Sequence, residues 1–180
     1  MSARSVPVLR TWSSGEVDTG AFMQSNVKIP GDFLLNRPMV ALRETAAITM
    51  TTAATFYSVT FTQEDEDTDG FHESVTHPAW ITVPTGLHGW YDVTGGFSVS
   101  LVSGNNIIAA FAINGVQVPE TYHVVWAGGT GNTSAIIASS LYLNDGDHLE
   151  MWAQCSVAGK ALAVTSGQQP YLKARWAGLT

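Results

Sequence analysis

The densest chemistry in the sequence lies between Glu64 and Glu73, where Glu64-Asp-Glu-Asp-Thr-Asp-Gly-Phe-His-Glu73 holds six of the fifteen acidic residues. Asp65, Asp67 and Asp69 ahead of Gly70 give the D-x-D-x-D-G opening of a calcium loop. The twelfth position is Thr76 where a bidentate glutamate is required, which excludes a full EF-hand. Two readings remain for the three aspartates. One is a looser calcium site completed by loop carbonyls. The other, which is preferred, is a turn in which Asp67 caps backbone groups around Asp69 and Gly70.

Catalytic patterns are missing elsewhere. His72, His77, His88, His123 and His148 form no HExxH and pair with no cysteine at metal-binding spacing. Ser134, Ser139 and Ser166 lie in no G-x-S-x-G elbow, and Gly128-Gly-Thr-Gly131 lacks the lysine and helix of a phosphate loop. Cys155 is alone, so it reads as a small buried hydrophobe. Of the six tryptophans, Trp90, Trp152 and Trp176 fall in strand-like segments and are expected in the core. Trp80 and Trp126 lie near loop ends and are candidates for surface recognition of a sugar, although an interface between subunits would bury the same rings.

The elements that must carry these residues are strands. Ala54–Phe61, Leu87–Val102, Ile107–Ile113, Thr121–Ala127, Ser134–Leu143, His148–Val157 and Tyr171–Trp176 are rich in β-branched and aromatic residues. Asn114-Gly115 is a strong hairpin signal. Turn clusters separate the segments, and no helix of ten residues or more is expected after residue 40. This spacing implies an all-β sandwich or barrel. Residues 1–40 read as an arm: 21–26 is too short for an independent helix, and 31–37 offers about one helical turn. Trp12, Phe22, Phe33, Leu34 and Leu35 make the arm too apolar for a free tail. Residues 41–180 form the head.

Composition limits the partners. Charged residues make up 13% of the chain, and its formal net charge is −7, the wrong sign for gripping nucleic acid or anionic lipid. No apolar run approaches the ~20 residues of a membrane span. The first ten residues hold no signal-like apolar stretch, so synthesis and folding in a cytoplasm are expected.

Several motifs resemble one family in order. Phe61-Thr-Gln-Glu-Asp-Glu-Asp-Thr-Asp-Gly-Phe-His-Glu73 followed by Trp80-Ile-Thr-Val-Pro-Thr-Gly-Leu-His-Gly-Trp-Tyr91 resembles a segment of phage and actinobacterial proteins with a complement-type globular head. That head is a jelly roll shared with the tumour-necrosis-factor superfamily. Ala112-Ile-Asn-Gly-Val116, Leu141-Tyr-Leu-Asn-Asp-Gly-Asp-His-Leu-Glu150 and Tyr171-Leu-Lys-Ala-Arg-Trp-Ala-Gly178 are similar to its hairpin, strand pair and closing strand. Thr11-Trp-Ser-Ser-Gly-Glu-Val-Asp-Thr-Gly20 and Phe33-Leu-Leu-Asn-Arg-Pro38 resemble the leader of phage minor tail and fibre proteins, with Gly20 in place of the usual alanine.

The resemblance implies a homotrimeric jelly-roll β-sandwich in a virion, with an extended N-terminal arm that anchors it to tail or capsid through Trp12, Phe22, Phe33, Leu34 and Leu35. The expected role is a minor tail or fibre protein acting in host-surface adhesion, with a cell-surface glycan as a further partner. Capsid decoration is the alternative placement. A carbohydrate-active enzyme is the alternative class, disfavoured because the acids crowd one segment instead of facing each other across a cleft. No cofactor is implied beyond the calcium candidate. Apolar residues on both faces of Ile107–Ile113 and of Ala135–Ala138 are expected to be buried between subunits.

Overall fold

The structure, a computed structural model, describes residues 4–8 and 20–179. Its strands, in chain order, are β1 (Met39–Arg43), β2 (Thr49–Met50), β3 (Tyr57–Ser58), β4 (Gln63–Asp67), β5 (His72–Glu73), β6 (His77–Thr82), β7 (Gly89–Leu101), β8 (Asn106–Ile113), β9 (Val116–Gln117), β10 (His123–Trp126), β11 (Gly131–Leu143), β12 (His148–Cys155), β13 (Lys160–Ala161) and β14 (Tyr171–Gly178). Burial follows the two-residue period of a half-buried strand. In β11, Ala135, Ile137, Leu141 and Leu143 are buried, while Ser134, Ile136, Ala138 and Tyr142 are exposed.

The strands form two antiparallel sheets. One is five-stranded, in the order β11-β7-β14-β1-β4. The other is seven-stranded: β10-β8-β12-β6-β5, with β3 added to β12 and β9 to β8. A short β13-β2 pair stands apart. Tyr91, Phe61, Phe71, Phe111, Leu42 and Met50 are among the fully enclosed side chains of the shared core, and Cys155 packs there as a hydrophobe. The sheets approach closely at Gly95, where a Cβ would lie 2.7 Å from Met151 Sδ and 3.1 Å from Phe111 Cε1. Asn114 and Gly115, at φ 53° and 75°, make the hairpin turn between β8 and β9.

Three expectations change. Gln63–Asp67, read as an acidic loop, is an edge strand paired with β1, because an edge keeps charged side chains in water and discourages further pairing. The arm is more helical than expected. A run from α1 (Gly20–Met23) through one π turn (Gln24–Lys28) into α2 (Ile29–Leu35) is continuous. Pro30 suits a helix start, and Phe33 and Pro30 are buried against the head, so packing supplies what sixteen residues in isolation would lack. Finally, β8 needs no neighbour to cover its second face: Ile108 is 6% exposed, and Ala110 and Ala112 are fully buried within the single chain.

Candidate functional site

The acidic segment is organised by its own partners. Asp67 Oδ1 accepts the N–H groups of Asp69, Gly70 and Phe71 at 3.2, 2.8 and 3.0 Å, and Oδ2 accepts that of His72 at 2.9 Å. Asp65 faces the other way, toward the Arg43 guanidinium at 2.7 Å. Glu64 meets His72 Nδ1 at 2.9 Å. Asp69 accepts from Arg4 Nε and Nη2, both at 2.9 Å, from the Arg4 N–H at 3.0 Å and from the Thr68 hydroxyl at 2.6 Å. The structure therefore does not bring Asp65, Asp67 and Asp69 together, and among the described residues no cluster of three His, Cys, Asp or Glu is arranged to hold a metal. Millimolar calcium is expected to leave the thermal midpoint unchanged within about a degree, since binding would have to displace these partners. A calorimetric scan with and without the ion checks this.

Burial pushes the Asp69 carboxyl up, but its hydrogen bonds from Arg4 and Thr68 outweigh that, and it sits below the ordinary carboxylate range. A carboxyl lowered in the folded state adds stability that is complete above its unfolded value of about 3.9 and is lost as pH falls through the folded value. Acidification below about pH 4 is thus expected to release residues 4–8 from the head. Hydrogen exchange at the Val6 amide, which donates to the Gly86 carbonyl at 2.8 Å, reads the release. Asp69→Asn should show it already at neutral pH.

The anchor residues divide. Phe33, expected to reach a virion partner, is 4% exposed and meets Trp176 edge-on at 5.0 Å, so it belongs to the head's own core. Leu34 and Leu35 are exposed. Trp12 and the side chain of Phe22 lie outside the described residues. Phe33 and Leu34 also line an apolar groove of about 410 Å³ with Val6, Val8, Trp176 and Leu179.

The two recognition tryptophans are not neighbours. Trp80 in β6 and Trp126 in β10 sit three strands apart, about 14 Å sideways at ordinary strand spacing. Trp80 stacks between His77 at 4.2 Å and His148 at 4.3 Å, so both faces of its indole are covered and neither is open to a sugar ring. Trp126 is 64% exposed. Of the tryptophans expected inside, Trp176 is buried, Trp152 is half-buried, and Trp90 is exposed against Tyr142 on the outward face of the five-stranded sheet.

Sequence reasoning passed over three charged residues that the fold uses: Arg4, Glu44 and Glu150. Arg4 finds Asp69 across the fold, and Glu44 joins the adjacent Thr45 and Ala46 N–H groups to the distant Thr60 and Thr62 hydroxyls, which nothing in their neighbours' identity announces. Glu44 stands as a lone acid in its segment, and Glu150 follows Asp145 and Asp147 of the preceding turn.

The paired sheets define the class: a jelly-roll β-sandwich. The globular domain of zebrafish complement 1qA protein is similar over 80% of this chain and 100% of its own, with a TM-score of 0.57 and 10% identity. Murine APRIL is similar over 77% of this chain and 98% of its own, with a TM-score of 0.57 and 11% identity. At these identities the likeness shows the fold, and it agrees with the complement-type, tumour-necrosis-factor-like head that the motifs resemble. No family model and no curated protein matches the sequence.

Proposed function

We propose that the protein is a non-catalytic structural or adhesive module of a phage particle, working as a homotrimer whose head projects from the virion and whose arm docks to tail or capsid. The observation that carries self-association is the outward face of the five-stranded sheet. Ile136 is 56% exposed there, and the Trp90–Tyr142 pair, with ring centroids 5.7 Å apart, stands six residues further along β11 on the same face. Exposed apolar side chains spread along one sheet face suit docking of a second copy. The leader motif around Trp12 and the exposed Leu34 and Leu35 support attachment through the arm. Capture of Glu64, Asp65, Asp67 and Asp69 by His72, Arg43, backbone N–H groups and Arg4 favours a binding role over carboxylate catalysis.

Sedimentation of the purified chain at micromolar concentration tests the assembly. The expected species is three times the 19.2 kDa chain, and a stable monomer would overturn it. Ile136→Asp should weaken association at least tenfold, about 1.4 kcal/mol, while leaving the thermal midpoint of the head nearly unchanged, because the side chain is exposed. Electron microscopy of intact particles with the protein tagged tests the virion role. Trp12→Ala should lower its copy number.

A further inference from the structure

Among the described residues the fold buries two glutamates, Glu44 at 0% and Glu150 at 7% exposure. They are treated differently. Glu44 has donors on both oxygens: the N–H groups of Thr45 and Ala46 and the Thr62 hydroxyl on Oε1, and the Thr60 hydroxyl on Oε2. Glu150 receives Ser58 Oγ at 2.7 Å and Trp152 Nε1 at 3.1 Å, both on Oε2. Its Oε1 has no hydrogen bond from the described residues. No fully enclosed side-chain oxygen or nitrogen lacks a partner, so Oε1 is the part of Glu150 that opens to solvent.

The strand topology creates that opening. β12 pairs with β6 through His148 and Leu149, then with β3 through Trp152 and Ala153. Glu150 stands at the fork between the two partners. Rings flank it on both sides: the His77–Trp80–His148 stack beyond one branch, and Trp152 with Phe56 at 5.6 Å and Tyr122 at 6.3 Å from Phe56 beyond the other. The strands of this sheet contain no lysine or arginine, and Glu150 has no ion-pair partner among the described residues. A sheltered carboxylate without a countercharge is unfavourable, and its charge is complementary to a cation brought from outside. The Trp152 and Phe56 rings beside the carboxylate add attraction for an organic cation.

We propose that the fork at Glu150 is a binding site for an organic ammonium group, with Oε1 accepting an ammonium N–H and the Trp152 and Phe56 rings covering the alkyl substituent. A neutral sugar fits less well, because both faces of Trp80 are already covered. The site lies on the seven-stranded sheet, opposite the face assigned to self-association, and is independent of it. The ammonium can come from a lysine side chain or from an amino sugar.

The test is a titration of the ¹⁵N-labelled full chain, following indole N–H resonances, with n-butylammonium chloride against n-butanol and against sodium chloride at equal ionic strength. The expected result is a saturable shift of the Trp152 indole, assigned with Trp152→Phe, by the ammonium alone. No saturable shift, or the same shift with n-butanol, overturns the proposal. Glu150→Gln should weaken binding at least tenfold, and an unchanged affinity in a folded Glu150→Gln also overturns it. Should that variant fail to fold, Ser58→Ala keeps the carboxylate and is expected to retain binding, and the comparison of n-butylammonium with n-butanol decides. Nα-acetyl-lysine amide and glucosamine, with N-acetylglucosamine as the uncharged control, then separate the two sources.

Discussion

Replacing Asp67 with alanine is expected to lower the stability of the head by about 3 kcal/mol, the largest effect of any single change in the acidic segment. Its carboxylate accepts four backbone N–H groups, from Asp69, Gly70, Phe71 and His72, that close the turn between β4 and β5. Without it those donors must find water or go unpaired, at about 1–3 kcal/mol for each one shielded from solvent. For a chain of this size the loss corresponds to a fall of roughly 6–12 °C in thermal midpoint, measurable by calorimetry. Asp67→Asn keeps an acceptor for three of the four donors but aims an amide at the His72 N–H, so its cost should be less than half as large. Gly70→Ala should rank below Asp67→Ala. The glycine is at φ +78°, but nothing lies within 4 Å of the added Cβ, which leaves only the left-handed strain of about 1–2 kcal/mol. Asp65→Ala should cost under about 1 kcal/mol, because its pairing with Arg43 is exposed. A ranking in which Asp65 and Asp67 cost the same would refute this account of the turn.

The second large effect is expected at Glu44. Alanine there removes a fully buried carboxylate that holds the Thr45 and Ala46 N–H groups at 2.7 and 2.6 Å and the Thr62 hydroxyl at 2.9 Å. The expected loss is about 3 kcal/mol, read as a shifted denaturation midpoint at unchanged slope. Glu44→Gln separates hydrogen bonding from charge. A glutamine carbonyl can take over at Oε1, and its amide meets only the Thr60 hydroxyl, which lies 3.3 Å from Oε2 and can turn to accept. Its cost should therefore be about 1 kcal/mol. Equal losses for glutamine and alanine would mean that the negative charge itself, rather than its acceptor geometry, holds the loop.

Much of the architecture was legible in the order of residues. The strands β7, β11, β12 and β14 carry the two-residue alternation, and β8 the continuous apolar run, that strands show. Asn114-Gly115 makes the hairpin turn it signals, because both residues tolerate positive φ. Asp67 is a backbone cap for the turn at Gly70, as its spacing suggested, since that is local chemistry within five residues. What the sequence could not decide is where charges and rings end up once the sheets close. The charged run Gln63–Asp67 is a strand because β1 offers it an edge, and Phe33 is core because the arm's helix lies on Trp176. Trp80 loses both faces to histidines that are three and sixty-eight residues away in the chain. Glu150 is left with one open oxygen at a fork between strands from two distant segments. Periodicity is a property of neighbours along the chain, so it reports strands and turns; pairing of charges and stacking of rings depend on contacts across the fold, which only the tertiary structure fixes.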